Sequence, residues 1–312
     1  MRTGAPDPEG RPFVAVVIPV FDDVERLAAC LAALQRQTYP GERYEVVVVD
    51  NGSRQDVAGA CRAFTMVRCI SEPRPGSYAA RNTGIARSDA DILAFTDSDC
   101  LPHRDWLENA VTRLTATRAC DILGGNVVVF SKDSSNPTAA ELYEAAFAFP
   151  QRQRIEASHW SVTANLFVRR SVIEAVGPFD ADLRSGGDAE WCQRAHAAGH
   201  CIEYAEDVRV DHPARSSLKE LLTKARRVAG GARAARHDVP IRVLVRFVAR
   251  TMVRTFRKTL RVLAGNQLDA GEARRFSVPE RVRIAAVLHL VTARRLLEVV
   301  SLRLTKRTAT RS

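Results

Sequence analysis

What this chain can fold into is constrained most by three short apolar runs, each closed by polar turn chemistry: Phe13-Val14-Ala15-Val16-Val17-Ile18-Pro19, Tyr44-Glu45-Val46-Val47-Val48-Val49-Asp50 and Ile92-Leu93-Ala94-Phe95. Nearly continuous β-branched runs of this length are the pattern of strands buried on both faces of a parallel sheet, whereas a half-exposed strand alternates. The first run is followed by Asp22-Asp23 and an amphipathic stretch from Val24 to Gln37, the second by Asn51-Gly52-Ser53 and a helical stretch from about Gln55 to Phe64. Strand, polar turn and helix in repetition predict βαβ units with right-handed crossovers, hence a doubly wound sheet flanked by helices. Ligands of such sheets bind beyond the carboxyl ends of the strands, where Asp22, Asp50, Asp97 and Asp99 are all predicted to lie.

The third run passes directly into Thr96-Asp97-Ser98-Asp99-Cys100. Residues i and i+2 of an extended segment point the same way, so the two carboxylates can face one divalent cation. Mg²⁺ and Mn²⁺ prefer oxygen ligands and leave room for phosphate oxygens, which suits a metal-bound diphosphate. Taken alone, an Asp-x-Asp tripeptide is more often a pair of solvated turn residues or a helix cap.

Several further motifs accompany it in a definite order. Val16-Val17-Ile18-Pro19-Val20-Phe21-Asp22 is followed by Val48-Val49-Asp50-Asn51-Gly52-Ser53, then by Pro75-Gly76-Ser77-Tyr78-Ala79-Ala80-Arg81-Asn82-Thr83-Gly84 and by Thr96-Asp97-Ser98-Asp99. Ala164-Asn165-Leu166-Phe167-Val168-Arg169-Arg170, Gly177-Pro178-Phe179-Asp180 and Gly186-Gly187-Asp188-Ala189-Glu190-Trp191 come later. This succession resembles the inverting glycosyltransferases of family 2, which have the GT-A fold, over roughly residues 13 to 215. The resemblance implies a nucleoside-diphosphate-sugar donor, usually a UDP-sugar, and an Mn²⁺ or Mg²⁺ ion. It makes Asp99 the direct metal ligand, with Asp97 on the ribose or reaching the metal through water. Asp50 would accept a hydrogen bond from the base, and Asp22 with the backbone around Pro19 would line the nucleoside pocket. Arg81, on a helix whose start suits anion approach, would reach base or phosphate. Residue by residue, Asp50 also fits an Asx-turn and Arg81 an exposed helix salt bridge.

On the acceptor side the family commonly has Glu-Asp-x-Asp, where this chain has Gly187-Asp188-Ala189-Glu190. Aligning Arg194 with the Arg that usually follows places Asp188 on the general-base position and leaves Gly187 where the first Glu would stand. Asp188 also suits the N-cap of a helix from Ala189 to Ala198, and a cap can hold a base rigid. Glu190 and Trp191 are candidates for the acceptor side, Trp191 by stacking on a sugar, although a buried aromatic fits the same pattern. His212, in Val210-Asp211-His212-Pro213, follows a strand-like segment where the family often has a metal- or diphosphate-facing His.

The chain of 312 residues, 46% of them apolar, has room for a large domain and an appendage. Residues 1–212 hold 22 Lys+Arg against 30 Asp+Glu, while residues 213–312 hold 24 against 6. The predicted division is a flexible N-terminal arm at 1–12, a GT-A domain at 13–215 with a nucleotide-binding half (13–100) and an acceptor half (101–215), and a basic amphipathic helical tail at 216–312. Met1 to Pro12 has no apolar segment of a signal peptide, and the seven cysteines show neither zinc spacing nor paired motifs, so a reducing cytoplasm is expected.

In the tail, Ile241, Val245, Val248, Met252, Phe256, Leu260 and Leu263 recur at helical spacing, with Arg242, Arg246, Arg250, Arg254, Arg257 and Arg261 along another face. A second amphipathic segment runs from Pro279 to Arg307. Neither has the ~18 uninterrupted apolar residues of a spanning helix, which predicts interfacial helices on anionic lipid. Packing back on the catalytic domain and nucleic-acid binding are the competing readings; the tail lacks aromatic interleaving, so no nucleic acid is expected. The function that follows is metal-dependent inverting transfer of a hexosyl-type sugar to a lipid-linked or polysaccharide acceptor, peripheral on the inner face of the cell membrane. An inactive nucleotide-sugar-binding protein and a nucleotidyltransferase are the alternatives.

Overall fold

A computed structural model describes residues 10–116, 120–183, 185–230, 240–266 and 275–305. The arm expected at 1–12 therefore lies outside the described residues except for its last three. Contacts divide the chain into two units. The first comprises the described residues up to Val127, Gln151–Leu183 and Gly187–His212; the second comprises Val128–Pro150, residues 185–186 and the described residues from Pro213 onward.

The three apolar runs become β1 (Val14–Val20), β2 (Tyr44–Asp50) and β4 (Ile92–Phe95), joined by β3 (Val67–Ser71). Val14 to Ile18, Val46 to Val49 and Leu93 to Phe95 have no accessible surface, as their uninterrupted apolar character requires. β2 and β4 flank β1 in parallel, with Val17 opposite Val47 and Phe95, and β3 extends the parallel set beyond β2. The connecting helices are α1 (Val24–Leu34), α2 (Val57–Cys61) and α3 (Ser77–Ala86). In α3, Gly84 lies against Val17 and Val49 so closely that a Cβ would collide with the Val17 side chain, and a glycine in mid-helix is explained by that contact.

The sheet then changes direction. β5 (Leu101–Pro102) and α4 (Trp106–Ala116) precede β6 (Ile122–Phe130), α5 (Ala139–Phe147), α6 (Gln151–Ser158), β7 (Leu166–Arg169), α7 (Arg170–Val176), α8 (Gly187–Ala197) and β8 (Ile202–Pro213). The full order is β3-β2-β1-β4-β7-β6-β8-β5. β7 runs antiparallel to both β4 and β6. The doubly wound sheet flanked by helices is present, and the elements that supply the acceptor side are stitched to its parallel half through β7. His212 lies inside β8, not beyond it.

The second unit is helical: α5, α9 (Leu218–Gly230), α10 (Ile241–Leu263) and α11 (Val278–Thr305). α5 opens on a capping box in which Thr138 and Glu141 satisfy each other's backbone amides. Its inner face packs with the C-terminal helices, Leu142 and Ala146 meeting Val262 and Ile284, and Ala140 meeting Leu221 and Val287. The stretch 128–150, read from sequence as acceptor half, thus packs with the tail helices. Glu144 is 2% exposed and is held by Arg215 at 3.1 Å and Lys224 at 2.8 Å. Burial pushes its carboxyl up, but the two cations outweigh that and hold it below the usual range. Among the described residues no helix is long and apolar enough to cross a membrane. Of the stripe foreseen on α10, Ile241, Val245, Met252, Phe256, Leu260 and Leu263 are 47–62% exposed, while Val248 is half-buried against the cluster of Ala229, Leu244, Val299 and Leu302.

Candidate active site

Of the nucleotide-side candidates, Pro19, Asp22, Asp50 and Asp97 sit at the carboxyl ends of β1, β2 and β4, where each strand runs out of apolar residues and the chain turns, and Arg81 lies on α3. Pro19, one residue before the end of β1, stands opposite Val49. Asp22 adopts a left-handed backbone (φ 49°), and its carboxylate accepts the Arg54 backbone N–H at 2.7 Å and the Arg54 guanidinium at 3.0 Å. These bonds, the backbone one foremost, lower its pKa. Asp50 Oδ1 accepts the Ser53 N–H at 2.9 Å, so the Asx-turn reading holds for one of its oxygens. Asn51, which sequence reasoning passed over, is 7% exposed and ties the β2 end to the start of α3: its amide donates to the Glu72 and Arg74 carbonyls, and its oxygen accepts the Gly76 N–H at 2.7 Å.

Arg81 is not an exposed helix residue. It is 3% exposed, pairs with Asp97 Oδ1 at 2.5 Å, and leaves its Nε buried with no hydrogen-bond partner among the described residues. A buried guanidinium N–H without an acceptor costs about 1–3 kcal/mol, so the site has spare capacity for an anionic ligand.

The second aspartate of the pair meets β8. Asp99 Oδ1 lies 3.6 Å from His212 Nε2, and donor atoms of Asp99, Cys100 and His212 all lie within 4.8 Å of one another. Burial raises the Asp99 pKa, opposed by His212 and reinforced by Asp97. Arg26, 3.8 Å from Asp99 Oδ2, offsets only part of that cost, and the oxygen and imidazole donors of Asp99 and His212 are of the kind that would fit a divalent cation. Cys100, unforeseen as a neighbour, is fully buried, and the carboxylates beside it add to the burial that pushes its thiol far up.

Asp188 lies in the first turn of α8, which begins at Gly187, so it is not the N-cap. Tyr78 from α3 donates its hydroxyl to Asp188 Oδ1 at 3.3 Å and accepts the Asp188 N–H at 3.2 Å. Oδ1 also accepts the Ala189 N–H at 3.0 Å. Burial raises the Asp188 pKa, partly offset by these bonds and by the cations of Arg81 and Arg154. The Tyr78 ring explains the departure at Gly187: a Cβ there would stand 2.7 Å from Tyr78 Cε2. The Arg81 guanidinium lies 5.8 Å from the centroid of the same ring, so Asp188, Tyr78, Arg81 and Asp97 form one connected series.

One acceptor-side candidate, Trp191, is corrected. Trp191 has no exposed surface, donates Nε1–H to the Gly177 carbonyl at 2.8 Å and packs on Phe179, so it belongs to the core and cannot stack on a sugar. Glu190 is turned to Arg194, which engages both its oxygens at 2.8 and 3.2 Å and also binds the Val176 and Pro178 carbonyls. It fastens α8 to the preceding loop. Tyr78 and Arg154 were missed, although Tyr78 stands inside a motif already singled out.

Beyond this geometry stand the relatives. A family model described as Glycosyl transferase family 2 matches residues 15–177. Glycosyltransferase AglE of Haloferax volcanii is 44% identical over 225 residues, covering 70% of this chain and 73% of that protein. A pre-mycofactocin glycosyltransferase of Mycobacterium tuberculosis is 32% identical over 233 residues; the match spans 70% of this chain but only 46% of the relative. In three dimensions the chain is similar to a mannosyltransferase from Pyrobaculum calidifontis solved in complex with GDP-Man and Mn²⁺, with a TM-score of 0.56, 22% identity, and coverage of 97% of this chain and 77% of the other. The chain belongs to glycosyl transferase family 2, with a GT-A-like fold, and is a glycosyltransferase.

Proposed function

We propose that the enzyme transfers a hexosyl-type sugar, with inversion, from a nucleoside-diphosphate-sugar to a hydroxyl of a lipid-linked or polysaccharide acceptor at the cytoplasmic face of a membrane. The observation that carries this reading is the series from Asp188 through Tyr78 and Arg81 to Asp97, which puts a proton acceptor and an anion-binding guanidinium in one site beside the metal-ligating set of Asp99 and His212. Asp22, Asp50 and the backbone around Pro19 hold the nucleoside, and Arg81, with its unpartnered Nε, binds the diphosphate. Asp99 and His212 would hold an Mn²⁺ or Mg²⁺ ion, which when bound would supply Lewis-acid neutralisation of the leaving diphosphate. The Pyrobaculum enzyme's complex with GDP-Man and Mn²⁺ supports that combination here.

The acceptor hydroxyl attacks the anomeric carbon and gives its proton to Asp188. Oδ1 is occupied by Tyr78 and the Ala189 N–H, so Oδ2 is the oxygen left to take it. Burial keeps this carboxylate more basic than an ordinary one, which suits a general base, typically worth ~10² to 10⁴ in rate. The exposed stripe of α10, flanked by arginines, docks on anionic lipid and accounts for a lipid-linked acceptor.

The test is calorimetry with UDP-sugars and GDP-mannose, with and without Mn²⁺ or Mg²⁺, followed by turnover of whichever donor binds. Asp188→Asn should leave donor affinity nearly unchanged and lower turnover at least ~10²-fold. A loss of donor affinity equal to the loss of rate would make Asp188 a pocket residue and defeat the assignment.

A further inference from the structure

Within the helical unit, α10 and α11 enclose a groove of about 640 Å³ that no step of glycosyl transfer uses. Arg246, Arg250, Arg254 and Lys258 line it from α10 and Arg295 from α11, and no carboxylate is among its lining residues. The Arg295 guanidinium lies 5.7 Å from the centroid of the Phe247 ring, and its Nε is buried with no hydrogen-bond partner among the described residues. Its neighbour Arg294 has Glu298 at 3.3 Å, and Arg226 reaches the same carboxylate at 3.3 Å. α11 therefore carries an acid for the arginines beside the groove and none for the one inside it. Burial disfavours the Arg295 cation, Tyr143 offsets part of that and the like charge of Arg254 adds to it, and an anion in the groove would relieve both costs.

We infer that this groove binds the phosphate headgroup of an anionic lipid. Arginines present planar forks that match phosphate oxygens, and the Thr251 and Thr292 hydroxyls add further donors. Beside Thr255 and Tyr143 of α5, the remaining wall is apolar, formed by Val243, Phe247, Leu288 and Val291, which suits the glycerol and first methylenes of a lipid and nothing in a free phosphate ion. At about 100° per residue, Arg242 and Arg257 fall between the groove and the exposed stripe of the same helix, and Arg246 and Arg250 form the groove edge on that side. That stripe is apolar surface that a nucleic acid would leave uncovered and a bilayer would not. The inference deepens the membrane reading given above and rests on it, adding a specific headgroup site to a diffuse attraction.

The experiment separates the two. Full-length protein is titrated by calorimetry with dihexanoyl phosphatidic acid below its micelle concentration, with dihexanoyl phosphatidylcholine and inorganic phosphate as parallel ligands. Phosphatidic acid should bind, phosphatidylcholine should not, and inorganic phosphate should bind much more weakly. Arg295→Gln should weaken phosphatidic acid binding about tenfold, and Arg250→Gln, on the exposed rim where folding is not at risk, about fivefold. Flotation with phosphatidylglycerol vesicles reads the stripe instead, and should be lost in the double variant Met252→Ser, Phe256→Ser. Failure of flotation alongside intact phosphatidic acid binding would sink the bilayer docking and leave the groove standing. Unchanged phosphatidic acid affinity in both arginine variants, inorganic phosphate binding as tightly as the lipid, or displacement of the lipid by a single-stranded oligonucleotide would each overturn the headgroup site.

Discussion

Tyr78→Phe removes one oxygen and isolates what Tyr78 does for Asp188. The ring keeps its place, stacked on Phe179 with centroids 5.9 Å apart and 6% exposed, so packing is conserved. Two hydrogen bonds disappear: the hydroxyl donated to Asp188 Oδ1 at 3.3 Å, and the Asp188 N–H accepted at 3.2 Å. A hydrogen bond to a charged group is worth about 1.5–3 kcal/mol, and the long donor–acceptor distance puts this one at the low end, about tenfold in rate. The orphaned amide costs stability of about 1 kcal/mol more. The direction of the pH effect follows from the sign of each contribution. Burial already raises the Asp188 pKa and the Tyr78 hydroxyl lowers it, so the variant's carboxyl titrates higher still. Because the base acts as the carboxylate, the acid limb of the rate profile moves to higher pH, and the deficit is largest on the acid side. Because the folded pKa lies above the unfolded one, Asp188 contributes stability below the ordinary carboxylate range that is lost as pH rises through the folded value. Carbon-13 NMR titration of the Asp188 carboxyl reads the shift without any substrate. Identical titration midpoints in wild type and Tyr78→Phe would refute the argument that Tyr78 tunes and orients this carboxylate.

Gly187→Ala should push the Tyr78 ring aside, since the new Cβ would stand 2.7 Å from Cε2; turnover should fall with donor affinity retained, and equal activity would show that the ring moves freely. Asp99→Asn, a near-isosteric loss of charge, should abolish the metal-dependent part of nucleotide binding in calorimetry while circular dichroism stays unchanged; unaltered affinity would remove Asp99 from the metal site. Glu144→Gln leaves Arg215 and Lys224 without their shared carboxylate and should cost ~3–5 kcal/mol in chemical denaturation at neutral pH. With its folded pKa below the unfolded one, Glu144 stabilises above the ordinary carboxylate range and loses that contribution as pH falls, so the gap between variant and wild type should narrow in acid.

The parts of the molecule that sequence reading reached are those written in local periodicity. Apolar runs without alternation identified β1, β2 and β4 as doubly covered strands, and their abrupt ends located Asp22, Asp50, Asp97 and Asp99. The stripe at Ile241 to Leu263 matched α10 residue for residue, because a helix of 3.6 residues per turn imposes its spacing on the chain that forms it. α9 was not foreseen, and neither was the packing of α5 with the C-terminal helices, since the contacts that hold them lie far apart in the chain.

What only the tertiary structure decided is which side chains share a site and which are spent on the fold. Trp191 and Asp188 are three residues apart on one helix, yet one is sealed beneath Phe179 and the other borders the site, a distinction set by the neighbours of α8 and not by its own sequence. Glu190, read from sequence as an acceptor-side residue, has both its oxygens engaged by Arg194. Tyr78 reaches Asp188, Arg81 reaches Asp97 and His212 reaches Asp99 across gaps that no spacing rule encodes. Periodicity reports what each residue does to its own segment; the roles in chemistry come from distances between segments, which exist only once β4, β7, β8 and α3 have packed around one another.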